Sequence, residues 1–250
     1  MCELFGFSSA QETDIREYLT IFFSHGIRHP HGWGMMRENH SKKEIIKEPV
    51  CSATSQKISK IITETPKQKI TLAHIRLATV GSVKLKNCHP YCQIDHTGRC
   101  WTLIHNGTIY SGKQLIKYLY TQTGDTDSER ISLALLDEIN LKKPRTAQER
   151  FQVLDCFISS LAKRNKLNLM IYDGELLYVH QNMHDTLYYK SENHSIMFST
   201  TKLDDTNWQA YPMTQLCAFQ AGEKIFEGTK HKHIFVPTLE YITSMDAMNI

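Results

Sequence analysis

Cys2 is the residue whose type and position could most directly do chemistry. Removal of Met1 would free an α-amine on the same residue that carries the thiol. The thiolate is the nucleophilic form of cysteine, with an unperturbed pKa of about 8.5, and an α-amine titrates at about 7.7–8.0. The amine is therefore suited to accept and return a proton near neutral pH, so one residue would supply nucleophile and base. Taken alone, Cys2 has an ordinary alternative as a small buried thiol in an edge strand.

A second group could stabilise the negative charge that acyl transfer creates on a carbonyl oxygen. The tripeptide His105-Asn106-Gly107 ends an apolar run and can direct an amide side chain and a backbone N–H to one point. One preorganised donor of this kind changes the rate by about two to three orders of magnitude. The alternative is a plain Asn-Gly turn, which is a common structure.

Two charged residues could hold an amino acid by its main-chain groups. Arg76 closes an apolar run, and its guanidinium can bind a carboxylate through two parallel hydrogen bonds, which lysine cannot do. Asp127 lies at the predicted start of a helix, where its carboxylate could bind an ammonium group. The ordinary alternatives are a surface ion pair for Arg76 and a helix cap for Asp127.

Strand patterns dominate the first half of the chain and would position these groups. Short apolar runs typical of strands occupy residues 2–8, 33–37, 43–47, 69–77 and 100–105. A helix-like stretch lies near residues 53–63. The sequence from Ser9 to Glu12 matches a capping box, which predicts a helix that begins there and ends near Gly26.

Helical periodicity replaces this pattern between about residues 111 and 163. Its apolar spacing predicts three successive helices, the last opened by a capping box from Thr146 to Glu149. Strand patterns return after Lys166, with a hairpin turn at Asp173-Gly174 and further strands near 186–191, 195–200 and 214–227. Strands, then helices, then strands favour two packed sheets with helices outside them.

Composition excludes several classes of function. The 250 residues are 41% hydrophobic and 22% charged, which is enough for one sizeable core. No apolar stretch has the length of a membrane span, and no export signal opens the chain. A net charge of +3 with scattered basic residues gives no sign of nucleic-acid binding. Seven cysteines without an export signal predict reduced thiols, and hence a cytoplasmic location.

Five segments, taken in order, resemble the class II glutamine amidotransferases, whose glutaminase domain is an N-terminal nucleophile hydrolase. The matching segments are Cys2, the Arg76 strand with its following Ala-Thr and Gly, His89-Pro90, His105-Asn106-Gly107, and Thr126-Asp127-Ser128-Glu129. The resemblance implies that Cys2 is the nucleophile. It also implies that Asn106 and Gly107 donate to the oxyanion, and that Arg76 and Asp127 hold the carboxylate and ammonium groups of glutamine.

The resemblance assigns further residues to the surroundings of the site. Thr79, Val80 and His89 would line or support the pocket, while Trp33, Gly34 and His105 would support it from beneath. Many synthase-linked members have His directly after the Ala-Thr, where this chain has Val80, as in the small stand-alone group. What Val80 changes is how the carboxylate end of the substrate site is completed.

The family also implies the fold and the cofactor requirement. The expected fold class is α/β (α+β): a four-layer αββα sandwich of two antiparallel sheets flanked by helices, in one domain over residues 2–250. Neither a metal nor an organic cofactor is required. The substrate is a small molecule. No synthase domain follows within 250 residues, so an ammonia acceptor or synthase would be a separate protein. The sequence does not specify an oligomeric state.

Three alternatives remain at this point. The same site could hydrolyse γ-glutamyl peptides or conjugates, because the predicted clamps hold only the glutamyl half. The chain could bind glutamine without turnover. A structural zinc site could form from closely spaced thiols and imidazoles, namely Cys88, His89, Cys92, His96 and Cys100.

Overall fold

The computed structural model describes residues 2–39, 42–65, 67–79 and 81–238, in which the strands form two antiparallel sheets. In spatial order the first sheet contains β11 (Gln209–Ala210), β9 (Tyr188–Glu192), β10 (Ser195–Ser199), β1 (Glu3–Thr13), β4 (Gln68–Ile75), β2 (Trp33–Asn39) and β3 (Lys42–Glu48). The second sheet contains β13 (Glu223–Glu227), β12 (Cys217–Gln220), β8 (Leu177–His180), β7 (Lys166–Tyr172), β6 (Cys100–Thr108) and β5 (Tyr91–Ile94).

Helices cover the outer face of each sheet. The α-helices are α1 (Arg16–Ser24), α2 (Gln56–Glu64), α3 (Asp127–Lys142) and α4 (Ala147–Ala162). Short 3₁₀ helices occupy His25–Arg28, Ser52–Thr54, Leu85–Asn87 and Lys113–Tyr120. Helices α1 and α2 pack on the first sheet, and α3 and α4 pack on the second.

Alternating side chains along the strands explain the four layers. Successive strand residues point to opposite faces, so each strand divides its apolar residues between two cores. On β1, Phe5 and Phe7 join the core beneath α1 and α2, whereas Leu4 joins the core between the sheets. On β7, Met170 joins the core between the sheets, whereas Leu169 packs beneath α3 and α4. The predicted αββα sandwich is confirmed.

The capping box predicted for the third helix is present. Thr146 Oγ1 accepts the Glu149 N–H at 3.1 Å, and Glu149 Oε2 accepts the Thr146 N–H at 3.1 Å. These reciprocal bonds satisfy two backbone donors that a helix start would otherwise leave without partners. The sequence therefore predicted the start of α4 from local chemistry alone.

The capping box predicted at Ser9 is wrong. Strand β1 continues to Thr13, because Ser8 and Ser9 pair with Ile196 and Ser195 of β10. The Ser9 hydroxyl accepts the N–H of Gln11 instead of opening a helix. Helix α1 begins only at Arg16, so pairing between strands distant in sequence overrides the local helix signal.

The first of the three predicted helices is a 3₁₀ helix, Lys113–Tyr120. Its buried residues are Leu115 and Tyr118, while Ile116 is exposed. A spacing of three residues between buried side chains fits the three residues per turn of a 3₁₀ helix. The two helices that follow are the α-helices α3 and α4, as predicted.

The Asp173-Gly174 turn connects β7 and β8 as predicted. Gly174 has φ of +93°, and Asp173 Oδ1 accepts the N–H groups of Glu175 and Leu176 at 2.9 and 2.8 Å. Because these bonds draw two more residues into the turn, β8 begins at Leu177 rather than directly after Gly174.

The prediction of reduced thiols is wrong for one pair of cysteines. Cys92 on β5 and Cys100 on β6 form a disulfide that joins these neighbouring strands. Cys2, Cys51, Cys88, Cys156 and Cys217 are free. No helix in the described part of the chain has the length and apolar character to cross a membrane.

Candidate active site

Side chains from both sheets meet at one end of the core between them. Cys2 directly precedes β1 and Arg76 directly follows β4, and strand alternation puts them on the same inward faces as Leu4 and Leu72. Because Glu3 pairs with Ile75, the ends of these two strands bring Cys2 beside Arg76. Asn106 shares the inward face of β6, on the opposite sheet. Residues far apart in sequence are therefore brought to one place by strand alternation and register.

The Cys2 thiol is half-buried at this place. Its Sγ donates to the carbonyl of Leu77 at 3.4 Å. Burial raises the pKa of the Cys2 thiol, and the positive charges of Arg76 and Lys166 oppose that rise. The two cations thus favour the thiolate form in a setting that otherwise disfavours it.

Arg76 organises the loop that follows β4. Its Nη1 and Nη2 donate to the carbonyls of Ser82 and Gly81 at 3.0 and 3.1 Å. The backbone N–H of Arg76 donates to the Gly32 carbonyl at 2.8 Å, and the Arg76 carbonyl accepts the His31 N–H at 3.0 Å. The His31-Gly32 segment therefore fixes the main chain of Arg76 next to Cys2.

Asn87 and Asp125 also fix this loop, and the sequence analysis assigned no role to either. Asp125 Oδ1 accepts the Ser82 N–H at 3.1 Å, and Asn87 Nδ2 donates to the Ser82 carbonyl at 2.7 Å. Asn87 Oδ1 accepts the Asp125 N–H at 3.0 Å, which completes the network. Their positions next to the Cys88-His89 and Thr126-Asp127 segments were the available signals.

Asn106 and Gly107 lie within β6 rather than in a turn, so the Asn-Gly turn is excluded. Gly107 pairs with Leu167, whose N–H donates to Asn182 Oδ1 and whose carbonyl accepts from His180 Nδ1, both at 2.8 Å. The backbone N–H and carbonyl of Leu167 therefore point toward β8 and away from β6. In a directly opposed antiparallel pair the same holds for the partner, so the Gly107 N–H points away from β7. Tyr91, the first residue of β5, pairs with Leu103, so the Gly107 N–H lies beyond the part of β6 that β5 covers.

Gly107 cannot carry a side chain without displacing its neighbours. A Cβ at this position would overlap the Lys166 carbonyl and Nε2 of His105. His105 Nε2 lies 3.4 Å from the same carbonyl, and its Nδ1 lies 3.0 Å from the Ser128 hydroxyl. The imidazole thus links β6 to β7 and to the start of α3. Burial lowers the pKa of His105, and the Asp127 carboxylate opposes this change.

Asp127 is buried at the first turn of α3 and is held against the end of β6. Its Oδ2 accepts the Ile109 N–H at 2.9 Å, and the Ser128 hydroxyl lies 3.4 Å from its Oδ1. A carboxylate has about four lone-pair positions, so these contacts are compatible with an additional ammonium donor. Thr126, not Asp127, caps the helix, because its Oγ1 accepts the Glu129 N–H.

The remaining predicted site residues divide between a buried support and the rim. His89 Nδ1 lies 2.8 Å from His74 Nε2, and burial lowers the pKa of both imidazoles well below the usual value. A Cβ on Gly34 would overlap the His89 carbonyl, and Trp33 is buried beneath the first sheet against Phe23. Thr79 is exposed in the loop after β4, and Val80 lies outside the described residues.

Lys166 is the functional candidate that the sequence analysis missed. Its side chain is buried between the sheets, with Nζ 3.5 Å from Asn106 Oδ1. Burial lowers the pKa of Lys166 to about 8, while the Cys2 thiol opposes this shift. The available signal was its position in the alternating segment Lys166–Tyr172, where it shares the inward face with Met170.

The thiols and imidazoles of the alternative zinc site do not converge. Within the described ranges, no group of three or more His, Cys, Asp or Glu side chains is arranged to hold a metal ion. Cys92 is bonded to Cys100, and His96 contacts Asn140.

A groove of about 1130 Å³ between Lys113–Tyr120, α3 and α4 contains none of the predicted site residues.

Comparison with known proteins gives independent evidence on the family. Residues 1–193 match the sequence profile of the class II glutamine amidotransferases. A protein from Escherichia coli (strain K12) named as a glutamine amidotransferase, YafJ, is 33% identical over 194 residues, covering 74% of this chain and 75% of that protein. A protein from Haemophilus influenzae with a similar name is 25% identical over 196 residues, covering 74% of this chain and 65% of its own length.

Solved structures agree on the fold. A structure from Pseudomonas aeruginosa PA01 named as a glutamine amidotransferase has a TM-score of 0.67 at 22% identity, and covers 90% of this chain and 100% of that chain. The glutamine phosphoribosylpyrophosphate amidotransferase of B. subtilis has a TM-score of 0.70 at 17% identity, covering 94% of this chain and 50% of that chain. These similarities confirm the N-terminal nucleophile hydrolase type of fold.

Proposed function

Because the chain belongs to the class II glutamine amidotransferases, we propose that it hydrolyses the side-chain amide of glutamine with the thiolate of Cys2. The observation that supports this reaction is the convergence of Cys2, Arg76 and Asn106 at one end of the core between the sheets. A nucleophile, a carboxylate-binding cation and an amide donor are the groups that this substrate and reaction require.

Substrate binding in this proposal uses the two charged residues at the edge of the site. The guanidinium of Arg76 binds the α-carboxylate of glutamine, beside the Gly81 and Ser82 carbonyls that it already contacts. The carboxylate of Asp127 binds the α-ammonium group, while its Oδ2 remains bonded to Ile109. Both residues are fixed by backbone contacts, so little ordering is needed when glutamine binds.

The first chemical step forms a γ-glutamyl thioester. After Met1 is removed, the free α-amine of Cys2 takes the thiol proton, and the thiolate attacks the γ-carbonyl carbon. Asn106 Nδ2 and the Gly107 N–H donate to the oxyanion of the tetrahedral intermediate. The carbon–nitrogen bond then breaks, and the α-ammonium returns the proton so that ammonia leaves.

The second step regenerates the thiol. A water molecule loses a proton to the α-amine and attacks the thioester carbon, with the same two oxyanion donors. The carbon–sulfur bond breaks, and the thiolate recovers the proton. Glutamine and water are thereby converted into glutamate and ammonia by protein groups alone. We propose that the ammonia is released to solvent in the basal reaction, and that a separate acceptor protein would capture it.

The test measures glutamate and ammonia released from glutamine by chain whose N-terminus has been sequenced by mass spectrometry. Cys2→Ala should lower the rate at least about a thousandfold, because it removes the nucleophile. Cys156→Ala is the matched control, since Cys156 is a free, exposed cysteine on α4. A panel of γ-glutamyl amides and peptides in the same assay defines the leaving group that the site prefers.

Equal release by processed wild type and Cys2→Ala from every compound would refute the proposal. Chain that retains Met1 should be inactive, because its Cys2 nitrogen is an amide and cannot act as the base. A capable acceptor protein, when added, should reduce free ammonia without reducing glutamate.

A further inference from the structure

Lys166 carries a positive charge into the core between the sheets, where few lysines occur. Lys166 is 1% exposed, and its side chain is among the largest fully buried ones in the described part of the chain. Lysine is almost never buried to this extent without charged or polar neighbours, because desolvation of an ammonium group is costly. Two groups that face Lys166 are the Asn106 carboxamide and the Cys2 thiol.

A second buried lysine shows what an ordinary structural environment provides. Lys190 on β9 is also buried, but its Nζ lies 3.2 Å from Asp204, 3.4 Å from Glu192 and 2.9 Å from the Tyr18 hydroxyl. Its charge is balanced by carboxylates. The neighbours of Lys166 include Asn106 and Cys2 of the proposed catalytic site, which indicates a role in that site.

Contact with Lys166 determines which way the Asn106 amide faces. An ammonium group is only a donor, so Nζ can face the Oδ1 of Asn106 but not its Nδ2. With Oδ1 directed toward Lys166, Nδ2 is directed away from it and becomes available as a donor. The oxyanion of a tetrahedral intermediate requires such a donor, and it would be repelled by the carbonyl oxygen of a flipped amide.

The charge of Lys166 also acts on Cys2. It lowers the pKa of the buried thiol, together with Arg76, and the thiol in turn raises the pKa of Lys166. A cation here also disfavours a second cation nearby, so it should help to keep the α-amine of processed Cys2 neutral and able to accept a proton. Neighbouring titratable groups share these effects: Arg76 after β4 also acts on Cys2, and Asp127 at the start of α3 acts with Lys166 on His105 of β6.

From these contacts we infer that Lys166 is a positioning residue, whose ammonium group turns Asn106 Nδ2 toward the reacting carbonyl and stabilises the Cys2 thiolate. The inference rests on the proposed function for the role of Asn106 as an oxyanion donor. The effect of Lys166 on Cys2 can be measured without turnover of glutamine. The two parts can therefore be tested separately.

The experiment compares processed wild type with Lys166→Met, which removes the charge and the donor, and Lys166→Gln, which removes the charge but retains a donor. Iodoacetamide alkylation is followed from pH 5 to 10, with each cysteine peptide quantified by mass spectrometry. Both variants should alkylate Cys2 about tenfold more slowly at pH 7, which corresponds to a rise of one pKa unit in the thiol. Exposed Cys156 provides an internal control and should react at its wild-type rate.

Glutaminase measurements then test the orientation of Asn106. Lys166→Met should lower kcat more than Lys166→Gln does, because only the side chain introduced by Lys166→Gln retains a donor toward Asn106 Oδ1. Lys190→Met is the matched control for loss of a buried lysine: it should lower stability but leave the Cys2 alkylation profile unchanged. Overlapping Cys2 profiles for wild type and both Lys166 variants, or an equal shift in Lys190→Met, would overturn the inference. Absence of glutaminase activity in wild type would refute the proposed function while leaving the alkylation result valid.

Discussion

At the scale of single residues, Gly107 shows how an active site can depend on a missing side chain. The main chain of β6 passes so close to Lys166 and His105 that a Cβ on Gly107 would overlap both. This approach lets the strand carry Asn106 and the Gly107 N–H past the end of β5 into the site. The requirement for glycine here is therefore steric, and it is coupled to the position of the proposed oxyanion donors.

Gly107→Ala is expected to lower kcat for glutamine hydrolysis by about a hundredfold, since displacement of β6 would misplace its donors. The variant should also lose about 1–3 kcal/mol of unfolding free energy, the usual effect of overpacking. Gly6→Ala is the matched control, because a Cβ at Gly6 would lie 2.5 Å from Met170 Sδ, within the core. That control should lose stability but keep kcat, measured well below both melting temperatures. Wild-type kcat in Gly107→Ala would contradict this account.

The residues that sequence reasoning could identify were those whose side-chain chemistry is itself informative. A terminal thiol, an arginine after a strand and an Asn-Gly pair each indicate part of an acyl-transfer site. Lys166 and Asp125 gave no such indication, because lysine and aspartate are common at surfaces. Their importance comes from where the register of β6 and β7 and the loop after β4 place them.

At the scale of elements, two similar sequence patterns had different outcomes. Thr146-x-x-Glu149 forms a capping box at the start of α4, whereas Ser9-x-x-Glu12 lies in an extended strand. Local hydrogen bonds between a side chain and the backbone decide the first case. In the second, β1 pairs with β10 on one side and β4 on the other, which satisfies many more backbone groups. Sequence can reveal the local contribution but not the distant pairing partners.

Thr146→Ala should lower the free energy of unfolding by about 1 kcal/mol, within the range of about 0.5–2 kcal/mol known for lost N-caps. Thr63→Ala is a matched control, because the exposed Thr63 hydroxyl bonds the Ser59 carbonyl within α2 and caps no helix start. Urea denaturation of both variants would measure the difference. Equal unfolding free energies for the two would show that the capping box contributes nothing specific to α4.

At the scale of the whole molecule, both sheets contribute to the site, and the core around it contains several uncharged imidazoles. Burial lowers the pKa of six histidines in the described part of the chain, which lie before β2, on β4, before β5, on β6, on β8 and after β13: His31, His74, His89, His105, His180 and His231. The last two are joined at 3.0 Å between their Nε2 atoms, which connects the segment after β13 to β8. The folded state therefore resists protonation at widely separated positions.

Acidification is expected to destabilise the protein before most carboxylates titrate. The unfolded chain binds protons at these histidines below about pH 6.5, whereas the folded chain keeps them neutral, so stability falls as pH falls. For His180 and His231 the loss continues toward their folded pKa values of about 3 and about 4. Each such histidine contributes a slope of up to about 1.4 kcal/mol per pH unit. Urea unfolding at pH 7, 6 and 5 measures the total slope.

One histidine can be isolated by comparing slopes rather than absolute stabilities. His180→Asn keeps a donor near the Leu167 carbonyl, which His180 Nδ1 contacts at 2.8 Å, but it removes a group that binds a proton on unfolding. The slope of unfolding free energy against pH between pH 6 and 5 should fall by up to about 1.4 kcal/mol per pH unit, which corresponds to about one proton. His184→Asn, the same substitution at an exposed histidine, is the control variant. An unchanged slope in His180→Asn would mean that the imidazole is protonated equally in the folded and unfolded chains, and that the contact between β8 and the segment after β13 does not exclude the charge.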